Sequence, residues 1–397
     1  MAELTEGGTT AHHAYPCEQC GASVEFAAGT GTLTCPYCGH AQQVTAVGEV
    51  REHDFASLAA TPRAAAPATH EYQCGTCGAL TTSGHLSQKC GFCGSPMVAE
   101  VEALGLVEPE AVLPFGVDRP SMQSALQKWV RSRWFAPSAL KKVVSAEQAH
   151  GVYLPHWTFD AQTRSAYTGQ RGEHYWVTET YTTTDSEGRS QTQTRQVQKT
   201  RWYPASGTVA RAFDDVLVAG TGRVMPEHLA KLSPWPLEQA AQYQPDYLAG
   251  YETLRYDVEP EAGLDVAKQK MAPVIENDCE RDIGGDVQRV HHVDTGYSEI
   301  TYKLLLLPVW IATYLYGGKP FQVLVNARTA EVVGERPWSV WKIASAVLVG
   351  LLLVAAVVWL VATSQDGGAT ATVYSGLALL GDPAARESVG PYMDPGV

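Results

Sequence analysis

The residues with the clearest chemical potential in this 397-residue chain are its cysteines, eight of which lie within the first 93 positions. They form four Cys-x-x-Cys pairs, grouped two by two. Two residues between thiols allow both sulfurs of a tight turn to face one ion, and a second pair completes a tetrahedral four-thiolate shell. The spacing therefore predicts two zinc ribbons, over residues 15–40 and 72–97, with one zinc ion each. The predicted ligands are Cys17, Cys20, Cys35 and Cys38 in the first ribbon and Cys74, Cys77, Cys90 and Cys93 in the second.

The sequence leaves two other interpretations of these cysteines open. Residues 35–39 would suit a rubredoxin-like iron site as well as zinc, and a secreted module would join its cysteines in disulfides. The first residues have neither the basic region nor the apolar core of a secretory signal, so we expect reduced cysteines in the cytosol. Because thiolates would fill all four ligand positions, both sites are expected to be structural and not catalytic.

The segments around the ribbons are predicted to be flexible or extended. Residues 1–14 are predicted to form a flexible N-terminus. Residues 41–71 are rich in Ala, Thr and Pro, and they are predicted to form a linker between the ribbons that is semi-rigid at 61–67. The segments 15–22 and 72–79 match each other, which indicates that the two ribbons are repeats.

A segment of twenty residues without charge, 343–362, lies near the C-terminus. A helix of this length spans about 30 Å, the thickness of the hydrocarbon layer of a membrane. The sequence predicts one transmembrane helix over 339–364 and a tail over 365–397. Arg328, Arg336 and Lys342 precede the segment, and the next basic residue is Arg386. The positive-inside rule therefore predicts a cytoplasmic N-terminal part and an extracytoplasmic tail at the cell membrane.

The intervening body, residues 98–338, is predicted to be an α+β fold rich in antiparallel sheet, built from two related halves at about 98–220 and 221–338. Each half contains a Leu-Pro-x-Trp motif, at 154–157 and 307–310, preceded by a helix. The first helix is predicted to begin after Asp118 as its cap. The second is predicted to begin near Asp265, to have a kink or a boundary at Pro273 and to end at Gly284.

The strand pattern of the body includes one unusual element. Residues 175–203 are polar on both faces and predict a long hairpin that turns at 185–189 and projects from the body. The apolar run 304–316 is too short to span a membrane and predicts a buried strand. Residues 321–329 and 332–334 predict a strand, a tight turn and a strand.

Other candidate groups carry weaker signals. Asp214 and Asp215, as neighbours in a strand, are predicted to point to opposite faces and not to share an ion. Cys279 is predicted to be a core residue of a helix. The sequence contains no GxxxxGK[ST] loop, HExxH pair, GxSxG elbow or GxGxxG turn. We therefore predict no enzyme activity, no catalytic or cofactor-binding residues and no small-molecule substrate.

With these motifs in view, the chain resembles a bacterial family of zinc-ribbon membrane proteins often labelled "primosomal protein N prime (replication factor Y)" or TFIIB-type zinc ribbon-containing protein. The resemblance rests on both ribbons, the C-terminal span and the segments 154–161, 167–172, 200–207, 213–215, 282–286 and 325–329. A helicase would need a Walker A loop, which is absent. The resemblance implies companions of flotillin-like SPFH scaffolds and of membrane-stress proteins.

The preferred hypothesis is a membrane-anchored adaptor that recruits a cytoplasmic protein partner to the bilayer, where tethering raises the local concentration. The alternative is a membrane-tethered nucleic-acid-binding protein. The net charge of −13 argues against broad capture of nucleic acid, because that affinity comes from basic side chains on phosphates. The alternative would need a basic surface assembled by folding from Lys128, Arg131, Arg133, Lys141 and Lys142.

Overall fold

The computed structural model describes most of the chain as a sheet-rich α+β structure, as predicted. Two compact units are present, one within residues 1–336 and one that contains the C-terminal helix. The described residues are 12–13, 15–44, 48–60, 70–99 without 75 and 78, 106–133, 149–316 without 185–187, 318–334 and 340–369.

The elements are short near the N-terminus and long in the body. The strands are β1 (His12–His13), β2 (Glu25–Ala27), β3 (Thr32–Thr34), β4 (Ala41–Gln43), β5 (His53–Asp54), β6 (His70–Gln73), β7 (Leu80–Ser83), β8 (His85–Lys89), β9 (Pro96–Ala99), β10 (Ala111–Val112), β11 (Ala149–Thr184), β12 (Ser190–Ala219), β13 (Ala241–Gln242), β14 (Glu252–Leu254), β15 (Val287–Tyr316), β16 (Lys319–Asn326) and β17 (Val332–Gly334). The α-helices are α1 (Arg119–Arg131), α2 (Pro226–Lys231), α3 (Pro260–Ile283) and α4 (Val340–Ala369). Short 3₁₀ helices cover Phe55–Ala60, Leu237–Gln239 and Pro245–Leu248.

Two long antiparallel strands, β11 and β15, form the centre of a sheet that has twelve strands among the described residues. β12 pairs with the edge of β11 that faces away from β15. β16 pairs with the edge of β15 that faces away from β11, and β17 pairs with β16. The two Leu-Pro-x-Trp motifs meet at this centre, where Leu154 lies opposite Leu307. The predicted halves, α1–β11–β12 and α3–β15–β16, therefore lie side by side across one strand pair.

Helix α3 packs on one face of this centre and covers β11, β12 and β15. Its buried stripe includes Met271, Ile275 and Cys279, and the facing sheet residues include Trp157 and Phe159. Cys279 is fully buried, as predicted. The helix begins at Pro260, five residues before the predicted start, because proline fits the first turn of a helix, where an N–H has no partner.

Several other local predictions for the body are confirmed, and two need correction. The side chain of Asp118 caps α1, since its Oδ1 accepts the amide hydrogen of Ser121 at 2.9 Å. The predicted run 304–316 lies inside β15 despite Pro308, and it is buried over 304–310, whereas Thr313 is exposed. β16 and β17 form the predicted strand pair, and Gly284 follows the last residue of α3 as predicted. The helix continues through Pro273, so a boundary at this residue is wrong.

The predicted hairpin is the far part of β11 and β12. β11 pairs with β15 only as far as Gly172, and then continues with β12 alone from Glu173 opposite Arg201 to Thr184 opposite Ser190. We call residues 173–184 and 190–201 the arm. Most of its side chains are exposed on both faces, as predicted for a projecting hairpin. The turn residues 185–187 lie outside the described residues.

The predicted linker and N-terminus contain ordered elements. Within 41–71, the 3₁₀ helix Phe55–Ala60 places Leu58 in the core beneath α3, and β5 pairs with β15. The prediction missed this contact because Phe55 and Leu58 are isolated apolar residues in an Ala-rich stretch. His12 and His13, predicted as part of a flexible terminus, pair with β9 at an edge of the large sheet. The predicted semi-rigid stretch 61–67 lies outside the described residues.

The C-terminal unit contains α4. Its segment Trp341–Val361 is long and apolar enough to cross a membrane, and none of its most apolar window is buried within the structure. The helix continues to Ala369, past the predicted end at residue 364, and residues 370–397 of the predicted tail lie outside the described residues.

Candidate metal centres

The Cys-x-x-Cys turns share one backbone arrangement. In all four pairs the amide of the first cysteine donates to the carbonyl five residues later. In the three pairs whose following glycine is among the described residues, the carbonyl of the first cysteine also accepts the glycine amide four residues later. For Cys35 these bonds reach His40 at 2.8 Å and Gly39 at 3.0 Å. Gly39 and Gly94 have φ values of +74° and +75°, which residues with a Cβ rarely adopt. These glycines allow the chain to turn back around the sulfur.

The eight cysteines form two clusters, each of which has all four sulfurs within 4.8 Å of one another. The Sγ–Sγ distances are 3.6 Å for Cys17–Cys38 and for Cys20–Cys35. They are 3.6 Å for Cys74–Cys93 and 3.8 Å for Cys77–Cys90. A tetrahedral zinc ion with Zn–S bonds of about 2.3 Å separates its sulfurs by roughly 3.8 Å, whereas a disulfide needs about 2.05 Å. Either cluster could therefore hold a metal ion, and zinc fits the four-sulfur donor set.

Hydrogen-bond donors near the sulfurs favour the thiolate form that metal binding requires. The amides of Cys38 and Tyr37 lower the pKa of the Cys35 thiol to about 6. In the second cluster, the hydroxyl and the amide of Ser95 lower the pKa of Cys93 to about 6. Each cluster thus combines a tetrahedral spacing with one stabilised thiolate, whereas burial and the neighbouring sulfurs raise the pKa of Cys38 and of Cys77 to about 12.

The two cysteine clusters lie in units that contact each other, although the sequence suggested separate modules. We call residues 15–44 and 70–99 the first and second cysteine units. Lys89 of the second unit forms an ion pair with Glu25 of the first at 2.7 Å, and the hydroxyl groups of Ser23 and Ser95 lie 3.1 Å apart. These contacts join segments about 65 residues apart in the chain, and nothing in the local sequence pattern indicates them.

Both units also dock on the large sheet. The amide of Phe26 donates to the carbonyl of Ala249 at 2.9 Å. In the second unit β8 pairs with β14, where the hydroxyl of Ser87 donates to that of Thr253 at 2.6 Å. A cleft of about 830 Å³ lies at this junction. Its lining mixes acidic and basic groups, among them Glu252 and Arg119, so the cleft has no single charge preference.

Each cysteine unit presents one exposed aromatic side chain at the same position. Tyr37 is 82% exposed and Phe92 is 77% exposed, and each directly precedes the last cysteine of its unit. The corresponding residues of the first Cys-x-x-Cys pairs, Gln19 and Thr76, are polar. Sequence analysis missed these aromatics, although their repeated position beside the last thiol was a usable signal. Exposed aromatic residues at matching sites are typical anchors for protein contacts.

A third group of potential ligands corrects the prediction for Asp214 and Asp215. Their carboxylates lie with those of Glu52 and Asp160 within 4.8 Å of one another. The prediction that the two side chains point to opposite faces was wrong because β12 has a bulge here: Phe159 pairs with Val216 and Ala161 with Phe213, so both aspartates face Asp160. Asp215 has a φ of +50°, which breaks the alternation of a regular strand.

The Lys303 ammonium group supplies the positive charge of this carboxylate group. Its Nζ lies 2.7 Å from Asp215 and 2.8 Å from Glu52, and only 12% of the lysine side chain is exposed. The amide of Asp215 donates to Asp160 at 2.7 Å, and the hydroxyl of Thr301 donates to Glu52 at 2.8 Å. The carboxylates therefore form a network of ion pairs and hydrogen bonds around the Lys303 ammonium group.

This network predicts a pH dependence of stability. Burial and the nearby Glu52 raise the pKa of Asp160 to about 7 in the folded chain. An unfolded chain loses this proton near pH 4, so between about pH 4 and pH 7 the folded state binds more protons and its stability falls as pH rises. Hydrogen bonds from Asp160 and Lys303 lower the pKa of Glu52 to about 2. The change in stability that Glu52 contributes therefore lies at lower pH than this window.

We expect Asp160→Asn, which mimics the protonated acid, to flatten the decline of stability between pH 5 and pH 7.5 and to be more stable than the natural chain at the upper end. Denaturant midpoints measured across this range check the prediction, with the exposed Asp294→Asn on β15 as the control. Parallel curves for the natural chain and Asp160→Asn would contradict it.

Three of the five basic residues named for the nucleic-acid-binding alternative are among the described residues. Lys128 and Arg131 are exposed on α1. The Arg133 guanidinium stacks over the Trp129 ring at 3.9 Å and donates to the Trp129 carbonyl. Lys141 and Lys142 lie outside the described residues. Of the five residues named for the alternative, the described ones therefore comprise two exposed bases, Lys128 and Arg131, and the half-buried Arg133.

Together the fold and the clusters define an α+β protein with two four-cysteine centres and one apolar C-terminal helix that could span a membrane. The chain is similar to the uncharacterized protein YdjG of Bacillus subtilis (strain 168), with 26% identity over 338 residues, which cover 83% of this chain and 92% of YdjG. No known family matches the chain in a scan against family models. A search of solved structures also finds no match.

Proposed function

We propose that this chain is a membrane-anchored adaptor that recruits a cytoplasmic protein partner through its two cysteine units. The observation that carries the proposal is the pair of exposed aromatics, Tyr37 and Phe92, at matching positions beside the metal clusters. Because the first unit binds the Ala249 carbonyl through the Phe26 amide and the second pairs β8 with β14, both units dock on the same sheet, which limits the relative movement of the two aromatics. A partner could therefore engage both at once, and each contact would strengthen the other.

In this proposal each cysteine unit is a zinc ribbon and the metal is structural. All eight thiols are used within the two clusters, so a tetrahedral ion bound there would have no open position for a substrate. The ion would fix the two turns of each unit, and through them the aromatic beside the last thiol. The absence of known catalytic motifs in the sequence supports an adaptor and not an enzyme.

The proposed anchor is α4, which would cross the membrane once. Arg328, Arg336 and Lys342 precede the apolar segment, which by the positive-inside rule supports an orientation with the cysteine units in the cytoplasm and the short C-terminal tail outside. The resemblance to zinc-ribbon membrane proteins suggests a class of partner, namely an SPFH or flotillin-like scaffold or a membrane-stress assembly.

We predict that the double variant Tyr37→Ala, Phe92→Ala loses most of its partner while remaining in the membrane. The full-length tagged chain is purified from membranes, and co-purifying proteins are quantified by mass spectrometry. We expect one cytoplasmic protein at near-equal stoichiometry with the natural chain, and at least about tenfold less with the double variant, since two aromatic anchors of about 1–2 kcal/mol or more are removed.

Two controls sharpen this experiment. Trp176→Ala removes an exposed aromatic of the arm, 64% exposed, and is expected to leave partner recovery unchanged. Deletion of α4 is expected to release chain and partner together into the soluble fraction. The proposal fails if partner recovery does not depend on Tyr37 and Phe92, or if the partner stays on the membrane without the anchor.

A further inference from the structure

Strand β12 is the outermost strand on its side of β11. It pairs with β11 along its length, and none of the strands that the structure describes pairs with its other edge. From Ser190 to Ala212 this strand is regular, because its register shift against β11 lies beyond Phe213. A long exposed edge is a template for a further strand, and proteins usually cover or interrupt such edges. We call the outer edge of residues 190–212 the free edge.

Two hydrogen bonds show which backbone groups face the free edge. The amide of His174 donates to the Asp286 carboxylate at 2.7 Å, and the Gly172 carbonyl accepts the Asp286 amide at 2.9 Å, both on the side of β11 away from β12. N–H and C=O groups of one residue point to the same side of a strand, and the direction alternates along it. Even-numbered residues of β11 here lie opposite even-numbered residues of β12. Along the free edge, the even-numbered residues therefore direct their backbone groups outward.

The structure closes this edge at its inner end. The bulge beside Asp214 and Asp215 interrupts the regular strand, and beyond it the ammonium group of Lys270 donates to the Leu217 carbonyl at 2.5 Å. At residues 152–153 of β11, β14 takes the place of β12, and β8 pairs with the outer side of β14. These features leave the edge open only before the bulge.

We propose that two copies of this chain pair through their free edges, with β12 antiparallel to β12 about a two-fold axis at Trp202. In this register, residues 192–212 of one copy lie opposite residues 212–192 of the second, so each free edge covers the other. The outward-facing residues supply up to about twenty backbone hydrogen bonds, with Pro204 contributing only its carbonyl. Because the same edge is used on both copies, the contact closes at a dimer. The proposal requires neither a bound metal nor the recruited partner.

Charge selects this register among its neighbours. With the axis at residue 202, Arg201 lies opposite Tyr203 of the second copy and Arg195 lies opposite Val209. An axis at residue 201 would place Arg201 opposite itself, and an axis at residue 203 would place Arg195 opposite Arg211. Like charges directly opposite each other destabilise a sheet, whereas a cation beside an aromatic ring is stabilising. The register at residue 202 places no two like charges directly opposite each other.

The register also leaves room for both arms. Ser190 of one copy comes to lie opposite Asp214 of the second, at the level of Asp160 on β11. The sheet continues outward through β8 only near the level of Leu154, since β8 pairs with β14 there. Six residues of strand, about 20 Å, separate the two levels. The arm of one copy can therefore extend the sheet of the other without meeting β8.

Cysteine crosslinking between two full-length variants tests the junction. Gln198→Cys and Ser206→Cys each introduce one exposed thiol, at positions that lie opposite each other in the proposed register. Hydrogen-bonded antiparallel pairs have a Cα distance of about 5.5 Å, which a disulfide can bridge. Two copies of the same variant would hold these thiols about 27 Å apart. We expect mild oxidation of the mixed variants to give at least about tenfold more disulfide-linked dimer than either variant alone. No dimer in the mixture, or equal dimer with each single variant, would overturn the proposal.

A proline substitution tests the backbone contacts separately. Thr208→Pro removes an outward-facing N–H without removing a bond to β11, as Pro204 already does, and Thr208→Ala is the matched control. Sedimentation of the full-length chain in detergent should show dimers for the natural chain and Thr208→Ala, and mainly single copies for Thr208→Pro. A natural chain that stays single at about 10 μM, where an interface of moderate affinity associates, would overturn the proposal, as would unchanged association of Thr208→Pro.

Discussion

Cys35→Ser is expected to reduce the bound metal from two ions per chain to one and to unfold the first cysteine unit. The thiol of Cys35 is buried, and its replacement leaves three sulfur ligands and a weaker oxygen ligand. Strands β2, β3 and β4 have three residues each and bury little beyond Phe26 and Leu33, so this unit cannot fold on its apolar contacts alone. Zinc binding contributes about 10–16 kcal/mol to the folding of comparable small domains.

Elemental analysis of the purified full-length chain measures the number and identity of the ions, and hydrogen exchange over residues 15–44 measures folding. Cys90→Ser is expected to act in the same way on the second unit. Cys279→Ala is the matched control, because this cysteine is buried under the sheet and belongs to neither cluster, and it should retain two ions. Iron in place of zinc would correct the identity of the metal, and a metal-free chain with protected amides would contradict the prediction.

The parts of the fold that depend on short stretches of sequence could be predicted. The spacing of the cysteines places four sulfurs together because two turns suffice to do so. Asp118 marks the start of α1 because a cap acts within three residues, and the polar alternation of residues 175–203 defines the hairpin by itself. In each case the physical cause and the structural effect lie within one short segment of the chain: Asp118 and the amide that it caps are three residues apart, and the sulfurs that meet are at most 21 residues apart.

The parts that depend on long-range register could not be predicted. Alternation places Asp214 and Asp215 on opposite faces, and only the extra residue in β12, opposite Asp160, brings them together. Lys89 and Glu25 are ordinary charges until the two cysteine units dock, and Leu58 enters the core because β5 pairs with β15. Such contacts are fixed by the packing of whole elements, and a single sequence contains no local sign of them.

Trp157→Ala is expected to lower the stability of the body by about 3–5 kcal/mol, the cost of truncating a large buried aromatic. The Trp157 ring is fully buried beneath α3, and its N–H donates to the carbonyl of Val258 at 2.8 Å. It lies edge-on to Tyr256 at 5.2 Å, and a Cβ on Gly263 would lie only 3.1 Å from it. A Cβ on Gly263 would also lie 3.2 Å from the Phe159 ring, so this second ring remains against the helix and limits its movement into the space.

Native-state hydrogen exchange of β11 and α3 measures this loss, and we expect these amides to exchange at least about 100-fold faster, since 1.4 kcal/mol corresponds to a factor of ten. Trp176→Ala makes the same substitution at an exposed position of the arm, where the expected change is within about 0.5 kcal/mol. If both variants exchange alike, the packing of α3 on the sheet does not determine the stability of the body. If only Trp157→Ala accelerates exchange, this packing holds together the sheet on which both cysteine units dock, and metal removal and core truncation should destabilise the chain by separate routes.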